Sequence, residues 1–343
     1  MRIVLLPVFM FFLACAPVKS GNQGDVSATE SVRDSISTET AEDIVEISEV
    51  DTTPPEGKYP RTATIAQQSA LKALNKARLA VKLPVVNELA ILNQAAQAHA
   101  AFVTNHCSEY DGLGLSPHEE DPSYGDDFTG TWPWDRTSAA GYHGAGVGEV
   151  IAFYADPNAA VDAWVNTLYH RLLIFDMRLV EIGYGKSEGK ASCPRPYGKT
   201  DVMDLGMGSI PTSVPDFIFY PPDGAIGMPK SFEGNESPQP PIPKGGYPSG
   251  TMITLQIQKN VQWLGHKITE FDTKRDIPHM AISNVPDTDA HVAEDPQSMS
   301  GINPYLALYP YAPLNPNTRY RVEVRINLAG ENLGLATTFT TGE

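Results

Sequence analysis

Residues 156–175 read DPNAAVDAWVNTLYHRLLIF. Ala160, Ala163, Trp164, Leu168 and Leu172 recur at three- and four-residue spacing, the period of an apolar helical stripe, and Pro157 sits in a first-turn position where its missing N–H costs nothing. The spacing predicts one helix from Asp156 to Phe175. Trp164, Thr167, His170 and Arg171 place an imidazole and a guanidinium at the end of that helix.

Upstream, Ile65 to Val103 is rich in Ala and Leu with helical spacing and is interrupted at Pro84, so it reads as two helices. Ile65, Leu71, Leu74 and Arg78 belong to the first; Leu89, Leu92, Ala96, His99 and Val103 belong to the second. The next forty or so residues carry Gly, Pro, Asp and aromatics, the composition of loops that bear function. Downstream, Glu181 to Gly185 and Val202 to Met207 read as short strands. Cys107 and Cys193 form an even pair once Cys15 is set aside; they are either a disulfide or two buried thiols.

From about Pro215 the chain changes to short segments punctuated by Pro and Gly. Tyr320, Val322, Val324 and Ile326 alternate with Arg321, Glu323, Arg325 and Asn327, which predicts a strand with one dry and one wet face. Leu314-x-Pro316-x-Thr318-x-Tyr320 resembles the tyrosine corner of fibronectin-III and immunoglobulin-like sandwiches. Phe217 to Tyr220, Val261 to Trp263 and Thr337 to Thr341 supply further strands.

The opening of the chain has Arg2, an apolar run from Ile3 to Ala14 too short to span a bilayer as a helix, and then Cys15. Ala14-Cys15 resembles a bacterial lipobox, with Phe12 where Leu is more usual. That resemblance implies cleavage before Cys15 and its acylation, which anchors the chain to a membrane; the other reading is an ordinary secretory signal with an incidental cysteine. Between Gly21 and Gly57 ten acidic residues face Arg33 alone, which accounts for -9 of the net charge of -16. With no aromatic before Tyr59, this stretch reads as an extended, self-repelling tether. An acidic chain has no basic face to replace phosphate counterions, so no nucleic-acid partner is expected.

Familiar catalytic motifs fail. The glycines at 144, 146 and 148 lack the third position of a dinucleotide fingerprint, Gly185-Lys186-Ser187 lacks the upstream glycine of a phosphate-binding loop, and there is no Gly-x-Ser-x-Gly or His-Glu-x-x-His. What remains is a dispersed set in fixed order: Asn75 with Arg78, His118 with Glu120, Gly141-Tyr142, Gly148-Glu149, and Trp164-x-x-Thr167-x-x-His170-Arg171. This set resembles the CAP superfamily of cysteine-rich secretory, antigen 5 and pathogenesis-related-1 proteins in its bacterial form, over residues 65 to 208. Val150 and Thr167 depart from the usual Asn and Ser.

The resemblance implies an α-β-α sandwich over residues 60–210; with the signal at 1–14, the tether at 15–59 and the all-β immunoglobulin-like sandwich read over 211–343, the expected fold class is α+β. The resemblance also implies a cleft lined by His118, Glu120 (or Glu119), Glu149 and His170. Two imidazoles, with water completing the shell and carboxylates orienting them, are ready ligands for a divalent ion such as zinc, so His118 and His170 are the expected metal ligands. The same groups could run acid–base hydrolysis of peptides or envelope polymers. The expected function is binding of an unidentified extracytoplasmic lipid, glycan, peptide or protein. The alternatives are that hydrolase, or an adhesive role carried by the β-sandwich.

Other residues read more plainly. His99 lies on an apolar helix face and reads as core, while His106 and His143 read as rim residues. Tyr124, Phe128, Trp132 and Trp134 either wall a ligand groove or pack a long loop onto the core. Asp287-x-Asp289-x-His291, with Glu294 and Asp295, lacks the Gly and terminal Glu of a calcium loop and reads as a solvated turn.

Overall fold

Thr64 caps the first helix: its hydroxyl accepts the Gln67 N–H at 3.2 Å and the Gln67 side chain accepts the Thr64 N–H at 2.7 Å. This reciprocal pair satisfies two donors that a helix start leaves open. The computed structural model describes residues 62–113, 116–297 and 301–343, so the signal, Cys15 and the tether lie outside the described residues.

Helix α1 (Ile65–Ala80) is followed by β1 (Asn87–Glu88), α2 (Ala90–Asn105), α3 (Cys107–Leu113), a loop carrying α4 (Pro133–Ala139), β2 (Gly146–Ala152), α5 (Pro157–Val165), α6 (Tyr169–Ile174), β3 (Leu179–Glu188) and β4 (Lys199–Met207). The four strands form one sheet in the order β1-β3-β4-β2, which leaves β2 at an edge. Leu74, Val150, Trp164, Leu172 and Leu205 bury together on one face. Ala96, Ala100, Ile151 and Val202 bury on the other, beneath α2. The result is the α-β-α layering expected. α2 lies so close to β3 that a side chain at Gly183 or Gly185 would strike its backbone at Leu92–Asn93 and Ala96–Gln97.

One expectation changes. The helix expected over 156–175 is two helices, broken at Asn166 to Leu168, so the apolar stripe is continuous while the backbone is not. Ile65 and Arg78 both lie in α1 as expected; Ile65 is exposed, whereas Arg78 is buried, its guanidinium donating to the carbonyls of Pro84 at 3.1 Å, Ile174 at 2.6 Å and Leu179 at 3.2 Å.

The second half contains β5 (Phe217–Tyr220), β6 (Ala225–Met228), β7 (Ser231–Phe232), β8 (Ser249–Gly250), β9 (Ile253–Ile257), β10 (Val261–Glu270), β11 (His279–Ser283), β12 (Ala293–Glu294), β13 (Tyr305–Pro310), β14 (Arg319–Leu328) and β15 (Glu331–Thr341). They form sheets ordered β10-β14-β15-β6 and β12-β11-β13-β9-β5, with β7-β8 as a separate pair. In β14, Tyr320, Val322, Val324 and Ile326 all face the sandwich core. The Tyr320 hydroxyl accepts the Asn315 N–H at 2.9 Å, which is the bond of a tyrosine corner.

The five-stranded sheet is buried on both sides. Leu255, Leu306 and Leu308 face the sandwich interior. Tyr305, Ala307 and Tyr309, with Tyr220 and Met252, join the core built by α1, α5 and α6. Polar bonds cross the same seam: Arg171 donates to Met252 O at 2.8 Å, Gln256 to Leu172 O at 3.1 Å and the Tyr169 hydroxyl to Asp295 at 2.9 Å. Asp295 also accepts from the Tyr305 hydroxyl at 2.6 Å, so its oxygens are committed within the protein. Asp287 accepts the N–H groups of Asp289 and Ala290, which is the turn expected there.

Candidate functional site

Edge strand β2 delivers Glu149. Strand alternation puts Glu149 on the same face as Ile151, toward α2, while Gly148 and Val150 face α6. The Glu149 carboxylate is almost completely buried and fully engaged: Arg136 donates to Oε2 at 2.7 Å and His118 Nδ1 lies 2.8 Å from Oε1. Burial alone would raise its pKa, but Arg136, His99 and His118 outweigh burial and hold the carboxyl well below its usual range.

Arg136 comes from α4 and organises the loop before it. Its guanidinium donates to the carbonyls of His118 and Thr131, each at 3.1 Å, as well as to Glu149. One buried cation thereby fixes both the backbone and the partner of His118. The Asp204 carboxyl on β4 stands directly across the ladder from Glu149 and is also buried. Burial, then the charge of Glu149, pushes its pKa well above the ordinary value.

Glu120 is not a partner of His118 or His170. Its carboxylate accepts the Thr129 N–H at 2.7 Å and lies 2.8 Å from His99 Nδ1, completely out of solvent. The other nitrogen of His99 is 2.8 Å from the Pro117 carbonyl. Both nitrogens of His99 therefore face oxygen atoms. His99 is buried as expected, yet it belongs to this polar network. Glu119, the alternative in the loop register, accepts through its backbone carbonyl from the Tyr110 hydroxyl.

His170 is the second residue of α6, and its Nδ1 is 2.7 Å from Glu236, a residue of the loop between β7 and β8. The direct partners are His118 with Glu149, His99 with Glu120, and His170 with Glu236; Arg136, 2.7 Å from Glu149 and 3.8 Å from Glu120, and His99, 4.0 Å from Glu149, link the first two pairs. The side chains of His118 and His170 are 21% and 15% exposed, and among the described residues neither Nε2 has a hydrogen-bond partner. Two such nitrogens suit a divalent ion chemically, although among the described residues no group of three or more His, Cys, Asp or Glu is placed to hold one.

The aromatics divide. Tyr124 stacks near Phe102 and, with Phe128, packs on the small core of Phe102, Val103 and Tyr110. Trp132 and Trp134 stack on each other with ring centroids 5.6 Å apart, half-buried at either side of the start of α4. His106 pairs with Asp127 at 2.9 Å, and His143 is exposed. Cys107 and Cys193 are joined by a disulfide.

Residues 71–193 match the family model described as CAP, the cysteine-rich secretory protein family. Among solved structures, an outer surface protein from Borrelia burgdorferi aligns at a TM-score of 0.30 with 15% sequence identity, covering 41% of this chain and 92% of that one. No curated protein matches the sequence.

Proposed function

With a CAP domain at residues 71–193 as the starting point, we propose that this is an exported binding protein of the cell envelope. Cys15 carries the lipid, residues 15–59 form the tether, and the ligand meets the partly exposed imidazoles of His118 and His170. The observation that carries binding over hydrolysis is the state of Glu149. A general base near neutral pH needs a carboxylate with proton affinity to spare, and this one is held down by Arg136 and His118. Glu120 is sealed behind Thr129 and His99.

A second reading has a specific observation in its favour. Each exposed imidazole has its Nδ1 on a carboxylate, at 2.8 Å and 2.7 Å, which is the outer support that metal-binding histidines commonly have. A divalent ion would be held by the Nε2 nitrogens of His118 and His170, and it would offer a carboxylate- or phosphate-bearing ligand a positive docking point.

The tests are direct. Protein stripped with chelator and then supplied with zinc is expected to hydrolyse neither peptides nor envelope polymers; turnover lost with chelator and restored by zinc would establish the hydrolase instead. In calorimetry with zinc alone, His118→Ala and His170→Ala are each expected to abolish binding while His279→Ala leaves it intact. Equal binding by all three variants would remove the metal reading. Cys15→Ser is expected to release the protein from membranes, and fatty-acid labelling that survives this change would refute the anchor.

A further inference from the structure

We infer that Glu236 is the positioning residue for His170, so that the C-terminal β region completes a site otherwise built by the CAP domain. The inference rests on His170 being a ligand-facing group. Glu236 is remote in sequence, lies outside the 71–193 match, and reaches α6 from the β7–β8 loop.

Four hydrogen bonds converge on its carboxylate, whose side chain is completely buried. Oε2 accepts the Leu168 N–H at 2.8 Å, while Oε1 accepts the Tyr169 N–H at 2.7 Å, the His170 N–H at 3.0 Å and the His170 ring at 2.7 Å through Nδ1. The three backbone donors exist because the chain breaks between α5 and α6, which leaves N–H groups without helical acceptors. A cap alone would explain those three bonds. It does not require the fourth, which is as short as any of them and fixes the side chain that reaches solvent.

The fourth bond has a chemical consequence. An ionised carboxylate only accepts, so Nδ1 must carry the proton and Nε2 must present its lone pair. Thr167 agrees with this: its hydroxyl donates to Trp164 O at 3.0 Å, so toward the ring, 3.1 Å away, its oxygen can only accept and is a second acceptor at Nδ1. Glu149 does for His118 what Glu236 does for His170. Both rings are therefore set in the same tautomer by acids from different parts of the chain, each ready to accept a donor or bind a cation.

The test uses the full chain with its histidine rings labelled with nitrogen-15. In the parent at neutral pH, His170 is expected to show a protonated Nδ1 and a bare Nε2. Glu236→Leu with Thr167→Val removes both acceptors that face Nδ1, so His170 is expected to shift toward the Nε2–H tautomer while His118 keeps its pattern; Thr167→Val alone is expected to keep the parent tautomer, and Glu236→Asp with Thr167→Val to restore at least part of the parent signal. A His170 that keeps its tautomer in Glu236→Leu/Thr167→Val, with only the melting temperature lowered, would reduce Glu236 to a helix cap and overturn the proposal. If that double variant does not fold, the parent and Thr167→Val decide: an Nε2–H ring at His170 in either is incompatible with the inference. Zinc binding separates this from the function proposed above. A parent that binds no zinc but shows the Glu236-dependent tautomer removes the metal reading and supports the positioning role.

Discussion

Arg136 and Glu149 meet through a 2.7 Å hydrogen bond, and each side chain is only 1% exposed. Removing one partner of such a pair strands a buried charge, a loss that runs to about 3–5 kcal/mol, whereas replacing both by apolar groups is often neutral. Arg136→Met is therefore expected to lower the unfolding free energy by about that much in urea titrations, with Arg136→Met/Glu149→Leu recovering most of the loss. The pH sign follows from Glu149: its pKa is depressed in the fold, so the stability it contributes is present above the ordinary carboxylate value of about 4.3 and is lost as pH falls below it. The acid-side slope should flatten in Glu149→Gln.

Asp204 works in the opposite sense. Its pKa is raised in the fold, so its contribution is fully present below about pH 3.9 and is lost as pH rises, because the unfolded carboxyl ionises freely and the folded one does not. Asp204→Asn keeps the shape without that titration. It is expected to be more stable than the parent at pH 7, with the gain vanishing near pH 3–4, as measured by urea unfolding across the range. A variant less stable than the parent at pH 7 would contradict this account.

In the sandwich, His266 Nδ1 and His279 Nε2 are 2.8 Å apart, and His279 Nδ1 donates to Ile277 O at 2.7 Å. With both rings neutral, His279 Nε2 is the acceptor and His266 Nδ1 the donor. Burial, the neighbouring His279 and His291 lower the His266 pKa to about 4, partly opposed by the backbone carbonyls of Ala290 and His291; burial also lowers that of His279. Groups lowered in this way give stability that is present above the ordinary histidine value near 6.5 and is lost as pH falls toward 4. Allowing for partial exposure of His266, the loss should run at about 0.7–1.4 kcal/mol per pH unit. His266→Leu should flatten that stretch of the stability profile.

How much of this was legible in the sequence depended on the range of the signal. The alternation of β14 and the Leu314 to Tyr320 corner were readable because one face of that sheet is wet. β9 and β13 were missed because they are buried on both faces, which erases a period of two. Cys107 with Cys193 was one of two open readings, and the structure shows the bridge. His118 and His170 were found by motif, but their acids divided. Glu149 was in hand, whereas Glu236 carries no local mark, since nothing near Ser237-Pro238 announces a helix more than sixty residues upstream. His99 was read as core from its apolar neighbours; its partner lies in the loop twenty-one residues on, beyond the reach of helical periodicity.

The sheet covered on both sides also bears on how such a chain can be assembled and inherited. Tyr305 and Tyr309 point away from the sandwich into the core beneath α1, α5 and α6, and Met252 and Gln256 bond across the same seam. A module that recombines freely between proteins brings its own finished surface; this one would arrive with a raw apolar face and an orphaned Glu236. Exchange of the C-terminal half for another sandwich would therefore have to carry matching changes at Tyr169, Arg171 and Leu172, which makes the two halves heritable as a unit and not as interchangeable parts.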